Sequence, residues 1–396
     1  MGNVDFAALR TRFPGTENGV YMNVAARGLI TRETRAAIDG MLDARLYGTA
    51  DKPAMFELIE RTRSRYAALI NAEPDEIAIT KNVSEGLNAI IASYDWKSGD
   101  NAVICADLEH PNNVFPWRNV AKRTGIEIKT VAHRDGQISP EAIADAIDEN
   151  TRMVTASSVT FAPGFRTDIA AIGKLCRERD ILFLVDGVQS VGILHTDVND
   201  LGIDAMAVST QKGLLGLYGM GFLYCRREWA ERLTPVYMAR FGIDLGDAHE
   251  AALGDGEDRL APGARRFDLG NYNFVAAAAA DASIGMMLET GTQAIESHVT
   301  GLANDLATGL LDSGLPVVEA PGVAASSIVS VGAIGEGQHD SVNDPAMASL
   351  HDHLTENGVN LSIRRGILRF SLHLYNDASD VARVIELARG HNRRTN

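Results

Sequence analysis

The sequence contains few cysteines, and they form none of the usual functional patterns. Only three occur among 396 residues, Cys105, Cys176 and Cys225, and no two of them make a CxxC pair. Neither a disulfide framework nor a zinc site is therefore indicated, and we expect no metal. The first residues also lack the basic start and the apolar stretch of a signal peptide. We expect buried, reduced thiols in a protein of the cytoplasm.

Long apolar runs and a surplus of positive charge are also missing. No segment approaches the roughly 18 consecutive apolar residues of a membrane span. The formal net charge is -15, from 37 Lys and Arg against 52 Asp and Glu, and the basic residues are scattered along the chain. Binding to nucleic acid or to an anionic membrane is not expected from such a composition. With 45% hydrophobic residues, the chain is long enough for a large domain and a smaller one.

Short apolar segments alternate with helical ones over much of the chain. Helical spacing runs from residue 31 to residue 70, and further helices are predicted between the strands, for example at 139–149 and 168–179. Strand-like segments lie at 77–80, 101–105, 126–131, 153–157, 181–185, 205–209 and 221–224. This alternation predicts an α/β fold with a mostly parallel, seven-stranded sheet that helices cover on both faces.

The pattern changes after the seventh strand. Gly, Asp, Ala and Pro dominate residues 244–263, which predicts a mobile loop, and an alanine-rich helix follows at 274–288. Strands at 328–331 and 368–372 then alternate with helices, as in a small α+β domain. We therefore predict three parts of the chain. They are an N-terminal segment that joins the small domain and the active site (1–30), a large domain (31–290) and a small C-terminal domain (291–396).

Two residues at predicted strand ends point to a particular chemistry. Asp186 ends an apolar run, and Lys212 follows the next strand 26 positions later, before a glycine-rich turn. A partly desolvated lysine amine can form a Schiff base, and an aspartate can hold a pyridine nitrogen protonated. Because ligands collect at the carboxyl ends of parallel strands, both residues are predicted to lie in one crevice. Taken alone, Lys212 could be a surface charge and Asp186 a helix cap.

Seven motifs between about Tyr21 and Asn376 resemble the class V aminotransferase family of fold-type I pyridoxal 5'-phosphate (PLP) enzymes. The similarity is greatest to the branch with cysteine desulfurases, selenocysteine lyases and isopenicillin N epimerase-like enzymes. The motifs are Tyr21–Ala26, Thr80–Asn88, Glu109–Trp117, Val185–Ser190, Ser209–Lys212, Arg266–Asn271 and Arg369–Asn376. The resemblance implies PLP as the cofactor and chemistry at the α-carbon of a small amino acid, through a Schiff base on Lys212.

The resemblance also implies roles for individual residues. Lys212 is the implied nucleophile and base, His110 the imidazole that stacks on the cofactor ring, and Asp186 the partner of the ring nitrogen. Further cofactor contacts are implied at Val83, Ser84, Gln189, Ser209, Gln211 and Asn271. In the family, the position of Asn271 reaches the phosphate of a neighbouring subunit. The resemblance therefore implies a homodimer with composite sites.

Substrate contacts are implied in the same way. Arg369 is the implied ligand of the substrate carboxylate, because a guanidinium offers two parallel donors that match a carboxylate. Asn23 and Arg27 are further candidates for the substrate pocket. Arg364 and Arg365 are candidates for binding a second anionic group.

Departures from the family pattern bear on the reaction. No cysteine follows Cys225, and residues 363–371 join two motifs directly where desulfurases carry a mobile loop with a nucleophilic cysteine. Persulfide formation by that route is therefore not expected. Phe161 stands at the position of a ring-facing Asn in desulfurases. Gln211 and Asn271 replace the usual His and Thr, and both can still donate hydrogen bonds.

Three reactions stay open for such a chain. We rank transamination first, β-elimination by a lyase without a persulfide cysteine second, and epimerisation third. An epimerase needs a second acid-base group, for which His110, Tyr218 and His373 are candidates. A non-catalytic amino-acid binder and a structural dimerisation partner are disfavoured, because the full set of cofactor residues is retained.

Overall fold

The computed structural model describes residues 4–244, 246, 258–318, 325–335 and 340–395. Its strands are β1 Val20–Tyr21, β2 Ile77–Thr80, β3 Asn101–Ile104, β4 Glu127–Thr130, β5 Thr151–Ser157, β6 Leu182–Asp186, β7 Ala205–Ser209, β8 Gly221–Cys225, β9 Ile328–Val331, β10 Val359–Asn360, β11 Ser362–Arg364 and β12 Ile367–Ser371. Its α-helices are α1 Phe6–Arg10, α2 Arg32–Leu46, α3 Lys52–Leu69, α4 Val83–Ser93, α5 Pro111–Thr124, α6 Pro140–Ala146, α7 Ile169–Arg177, α8 Arg227–Arg232, α9 Phe274–Thr290, α10 Thr292–Asp312, α11 Pro345–Glu356 and α12 Ala378–Thr395.

A seven-stranded sheet forms the centre of the larger part of the molecule. Its strand order is β2-β8-β7-β6-β5-β3-β4, and only β8 runs antiparallel to its neighbours. The predicted α/β class, with a mostly parallel sheet of seven strands, is therefore confirmed. The parallel strands place the carboxyl ends of β5, β6 and β7 at one edge, where Ser157 lies in register with Asp186.

Helices cover both faces of this sheet. Successive side chains of each strand point to opposite sides, so each strand contributes to the core on both faces. Leu182 and Leu184 of β6 belong to a core cluster with α4, α5 and α8, whereas Phe183 and Val185 belong to a second cluster with α3, α7 and α9. Every residue of β6, β7 and β8 is buried. A strand buried on both faces is uniformly apolar, which explains the short apolar runs in the sequence.

The predicted helical stretch from residue 31 to residue 70 is two helices rather than one. α2 ends at Leu46, and Gly48 adopts a φ of 68° that reverses the chain. Asp51 then caps α3 by accepting a hydrogen bond from the Ala54 N–H at 3.3 Å, and Pro53 lies in the first turn. Glycine tolerates this left-handed conformation and proline suits a helix start, so local backbone chemistry overrides the continuous apolar spacing.

The C-terminal part is built on a second, antiparallel sheet of the order β11-β12-β9. The N-terminal segment reaches this part, since β1 pairs with β10 and Asn23 forms a bridge with Ser371. The exact domain boundaries stay a prediction. Most of the predicted loop 244–263 lies outside the described residues. At its ends Ile243 pairs with Leu260, and a 3-10 helix spans Gly263–Phe267.

Two further observations concern the described residues as a whole. None of the helices within them is both long enough and apolar enough to cross a membrane. Their His, Cys, Asp and Glu side chains form no cluster of three or more that could hold a metal ion.

Candidate active site

A cavity of about 480 Å³ lies at the carboxyl ends of the central parallel strands. The structure brings most of the predicted cofactor residues together on its wall. They are Val83, Ser84, His110, Asp186, Gln189, Ser209, Gln211 and Lys212. These residues come from four separate stretches of sequence, so their convergence is a property of the fold. Their individual contacts with a cofactor stay a prediction.

Close packing of α4 on the sheet positions one end of this cavity. A Cβ atom on Gly86 would lie 2.8 Å from the Cβ of Ala207 in β7, so only glycine allows this approach. As a result the Val83 N–H donates to the Ser209 Oγ at 2.7 Å, and Ser84 lies in the first turn of α4 at the cavity wall. The first N–H groups of a helix lack intrahelical partners and favour an anion. This end is suited to a phosphate group.

Lys212 and Asp186 form the reactive centre of the cavity. The Lys212 side chain is partly accessible from the cavity but lies deep within the protein, and burial lowers its pKa to about 8. The Asp186 carboxylate opposes this shift, whereas the guanidinium groups of Arg369 and Arg364 add to it. A lysine with such a pKa presents a sizeable fraction of neutral amine near neutral pH, as a nucleophile requires.

Asp186 ends β6 and is 3% exposed. Burial raises its pKa to about 6, while the Val188 N–H, which donates to Oδ1 at 3.0 Å, and the Lys212 charge act in the opposite direction. Its carboxylate is therefore ionised at neutral pH. An ionised carboxylate deep in the cavity fits a protonated ring nitrogen.

His110 forms the N-cap of α5, and its position follows from that. Its Nδ1 accepts a hydrogen bond from the Asn112 N–H at 3.2 Å, which assigns the proton of the neutral ring to Nε2. The imidazole contacts Phe161 edge to face, with the ring centroids 5.3 Å apart. Both rings line the cavity. Phe161 thus supports the side of the imidazole and closes part of the wall.

Gln189 links the cavity to the N-terminal segment, because its Nε2 donates to the Ala25 carbonyl at 3.2 Å. The neighbouring Ala26 lines the cavity, but Asn23 and Arg27 do not. The Asn23 Nδ2 instead donates to the Asn360 Oδ1 at 2.8 Å, and the Arg27 carbonyl accepts from the Tyr21 hydroxyl. The predicted substrate roles of Asn23 and Arg27 are untested by this arrangement.

Arg369 lies near the cavity without lining it. It is 1% exposed, and its Nη1 donates to the Phe161 carbonyl at 2.5 Å while Nε donates to the Ser362 Oγ at 3.2 Å. Arg364 pairs with Asp340 at 2.6 Å. Arg365, at the turn between β11 and β12, donates to the Asp107 carbonyl. These guanidinium groups therefore already have protein partners, and their substrate roles stay predictions.

Two other predicted residues lie away from the cavity wall. Asn271 is exposed beside Gly270, which packs on Phe241, and it has a φ of 46°. His373 is fully buried, and its Nε2 bonds with the Gly213 carbonyl at 2.8 Å. Burial lowers the pKa of His373 to about 4. It is therefore a poor candidate for a second acid-base group in this cavity.

The cysteines also lie away from the cavity that contains Lys212 and Asp186. All three belong to the described residues, are buried and free, and none lines the cavity. Burial raises the pKa of Cys105 to about 11, and it raises the pKa values of Cys176 and Cys225 further. A protonated, buried thiol is a poor nucleophile. This arrangement agrees with the lack of a desulfurase-type cysteine in the sequence.

Sequence reasoning overlooked one residue beside the site. Glu109 is 3% exposed and accepts hydrogen bonds from the Ser157 N–H and Oγ and from the Asn113 Nδ2. Its place directly before His110 was a signal, but a glutamate in a motif gives no sign of burial. A second cavity, of about 540 Å³, lies beyond Ser158 and Ser190 and contains none of the predicted site residues.

The cavity residues fit PLP in their chemistry. A helix start with Ser84, Ser209 and Gln211 suits its phosphate, the Asp186 carboxylate suits its ring nitrogen, and the Lys212 amine suits its aldehyde. His110 is an aromatic ring on the same wall, as stacking on the cofactor requires. This donor set, rather than any single residue, supports the predicted cofactor.

Comparisons with known proteins identify the family. The family model described as aminotransferase class-V matches residues 49–384. A probable cysteine desulfurase of Methanothermobacter thermautotrophicus is 31% identical over 346 residues, which cover 82% of this chain and 81% of the relative. An uncharacterised aminotransferase of Bacillus subtilis is 27% identical over 377 residues, which cover 95% of this chain and 95% of the relative.

Solved structures share the fold. A cysteine desulfurase of Thermococcus onnurineus has a TM-score of 0.83 at 23% identity, with 100% of this chain and 99% of that chain covered. The cystine C-S lyase C-DES has a TM-score of 0.83 at 24% identity, with 95% and 99% covered. At such identities the likeness concerns the fold. From the family match along most of its length, the chain belongs to the class V aminotransferase family of PLP-dependent enzymes.

Proposed function

We propose that the protein catalyses PLP-dependent transamination of a small amino acid. The observation that carries this proposal is the meeting of Lys212 and Asp186 in a cavity whose wall contains no cysteine. Bound PLP supplies an aldehyde for the substrate amine and a protonated ring that accepts the electron pair released at the α-carbon. A relative described as an uncharacterised aminotransferase, covered to 95%, supports the same proposal.

The residues of this chain have distinct tasks in the proposed reaction. The Lys212 Nζ takes the proton from the substrate α-carbon, for which its lowered pKa provides a neutral amine. Asp186 holds the proton on the ring nitrogen. Ser84, Ser209 and Gln211 bind the phosphate, and His110 limits the motion of the ring. Since general bases act best when their pKa lies near the operating pH, Lys212 is well adapted to this task.

Arg369 is the proposed ligand of the substrate carboxylate. Its charge already lowers the pKa of Lys212, so the two groups interact electrostatically. Burial lowers the pKa of Arg369 itself to about 9. A substrate carboxylate would compensate this buried charge, whose present partners are the neutral oxygens of Phe161 and Ser362. Reorientation of Arg369 from the Phe161 carbonyl towards the substrate is part of the proposal.

β-Elimination is the second candidate reaction. Its support is the relative from Methanothermobacter thermautotrophicus, described as a probable cysteine desulfurase. Here Tyr218, which is 63% exposed and lines the cavity, would protonate the leaving group. Epimerisation is third, because among its three candidate acid-base groups His373 is buried outside the cavity and the Nδ1 of His110 is engaged by Asn112.

The proposed assembly is a homodimer in which Asn271 contacts the phosphate site of the other subunit. Asn271 is exposed and outside its own cavity, as such a role requires. Several large apolar side chains are exposed as well, which favours a partner surface. They are Leu42, Leu46, Tyr47, Tyr237, Met238 and Leu269.

The proposed location is the cytoplasm, where three free thiols stay reduced.

The reaction is tested by single turnover of the PLP-loaded protein with a panel of amino acids and no keto acid. Stable conversion of the cofactor into its amine form, with one keto acid released per site, is expected for transamination. Return of the original spectrum with released ammonia and keto acid would instead indicate elimination. Return of the spectrum with inverted substrate and no keto acid would indicate epimerisation. No spectral change with any amino acid would contradict all three.

A further inference from the structure

Glu109 is a buried carboxyl group that the proposed reaction does not use. It lies between β3 and α5, directly before His110, and is 3% exposed. Its Oε1 accepts from the Ser157 N–H at 2.6 Å, and its Oε2 accepts from the Ser157 Oγ at 2.5 Å and the Asn113 Nδ2 at 2.8 Å. These three donors come from two elements, β5 and α5. The carboxyl group therefore joins the end of a strand to the first turn of a helix.

Both joined elements contribute to the cavity. Ser157 and His110 line it, and the Asn113 N–H donates to the His110 carbonyl at 2.7 Å. The Asn113 side chain, which binds Glu109, thus belongs to the same turn that carries the imidazole. Because Glu109 contacts Ser157 and Asn113 together, it fixes the distance between the β5 wall and the His110 wall.

The same carboxyl group lies close to Asp186. Ser157 is in register with Asp186 on the neighbouring strand, so its partner Glu109 is near the ring-nitrogen end of the cavity. Burial raises the pKa of Glu109 to about 7, its hydrogen bonds with Ser157 and Asn113 lower it, and the negative charge of Asp186 raises it. Cys105, which precedes it after β3, is a neutral neighbour, since its own pKa is about 11.

We propose that Glu109 is a positioning residue of the active site, which holds His110 against the β5 wall and sets the charge around Asp186. Between about pH 6 and pH 7, Glu109 is mostly protonated while Asp186 is mostly ionised. Ionised Glu109 adds a second negative charge, which raises the pKa values of the groups around the cofactor. The proposal depends on the cofactor and holds for transamination and elimination alike.

The experiment compares the PLP-loaded protein with its Glu109→Gln variant, which keeps the shape of the side chain and removes its charge. The absorption spectrum of the bound cofactor is recorded across the pH range 5 to 9. The midpoint is the pH at which half of the change in the cofactor spectrum has occurred. Removal of the negative charge of Glu109 is expected to lower this midpoint by about one pH unit. Loss of the fixed wall is expected to reduce kcat by about tenfold with a smaller change in KM.

Asp204→Asn is the matched control, because Asp204 is also a buried carboxyl group with a pKa raised to about 6 by burial. It lies before β7, at the opposite edge of the sheet, where it accepts from the Phe183 N–H and pairs with Arg226. This variant is expected to lower stability and to leave the spectral midpoint unchanged. An equal shift in Asp204→Asn would show that the effect is unspecific and would overturn the proposal.

A second variant guards against failure of Glu109→Gln to fold. Ser157→Ala removes one donor to the carboxylate, which raises the pKa of Glu109 and reduces its charge near neutral pH. It is expected to shift the midpoint in the same direction by a smaller amount. An unchanged midpoint in both variants, or in Ser157→Ala when the other does not fold, means that Glu109 has only a structural role. Because the spectrum is read without substrate, a wrong reaction assignment would leave this result unaffected.

Discussion

The amine of Lys212 and the carboxylate of Asp186 lie in one cavity, and each shifts the pKa of the other. Lys212 lowers the pKa of Asp186, and Asp186 raises that of Lys212, while burial acts against both charges. The pair results from adjacent parallel strands, since Asp186 ends β6 and Lys212 follows β7 by three residues. This relationship makes the lysine both reactive and sensitive to its partner.

Replacement of Lys212 tests the proposed base directly. Lys212→Ala is expected to abolish covalent attachment of PLP and to reduce turnover by about a thousandfold or more, since a general base alone contributes about 10² to 10⁴. Borohydride reduction followed by mass spectrometry measures the attachment. Lys81→Ala is the matched control, because Lys81 lines the same cavity but is exposed. If borohydride still fixed PLP to the Lys212→Ala protein, the assignment of the lysine would be wrong.

The lowered pKa of Lys212 predicts a pH dependence of stability in the PLP-free protein. Its folded-state pKa of about 8 lies below the unfolded value of about 10.4, so the unfolded chain binds more protons between these pH values. Lys212 is therefore expected to add on the order of 3 kcal/mol to the free energy of unfolding as the pH rises across this window. The raised pKa values of the three buried cysteines act in the opposite direction, so the contribution of Lys212 is obtained by comparison with a variant that lacks its amine. Urea unfolding of the unsubstituted protein and of Lys212→Met at several pH values measures this contribution, and the stability of the unsubstituted protein should gain on that of the variant as the pH rises. The same dependence of stability on pH in both proteins would contradict the lowered pKa.

Gly86 is expected to control the phosphate end of the cavity. Gly86→Ala places a methyl group against Ala207 and pushes α4 from β7, which separates Ser84 from Ser209. PLP affinity should fall by about tenfold or more, since overpacking costs about 1–3 kcal/mol. Equilibrium titration with PLP measures it. Gly40→Ala on α2 is the control, since nothing lies within 4 Å of its added Cβ. Equal PLP affinity in Gly86→Ala and Gly40→Ala would refute the close-packing argument.

The buried cysteines are expected to be dispensable for catalysis. A variant with Cys105, Cys176 and Cys225 all replaced by alanine should keep activity within about twofold and lose about 1 kcal/mol of stability per site. Turnover measures the activity of the variant. Mass spectrometry of the unsubstituted protein after incubation with cysteine shows whether a persulfide forms. A persulfide on any of the three, together with loss of activity in the variant, would favour a desulfurase instead.

Mixed subunits test the composite site. Lys212→Ala and Asn271→Ala proteins should each have low activity, and refolding them together should restore up to about a quarter of full activity, because half of the dimers then contain one intact site. Sedimentation measures the dimer, and turnover measures the restoration. Full activity of Asn271→Ala alone, or no gain in activity on mixing, would show that Asn271 does not contribute to the phosphate site of the other subunit.

Much of the fold was predictable because its determinants are local. Buried parallel strands must be apolar on both faces, so β6, β7 and β8 were visible as short apolar runs between helical segments. The break between α2 and α3 is not visible in the apolar spacing, which continues across it, because it depends on the backbone conformations of Gly48 and Pro53. Element types follow from periodicity, and element ends follow from caps and turns.

The sequence by itself determined the family, the cofactor and the lysine-aspartate pair, because motif order and strand-end chemistry are written along the chain. Only the tertiary structure decided that Glu109 is buried against Ser157, that Arg369 is held by the Phe161 carbonyl, and that His373 lies outside the cavity. Burial and hydrogen-bond partners depend on residues far apart in sequence. Charge and reactivity in the site are therefore fixed by packing, which residue types alone do not specify.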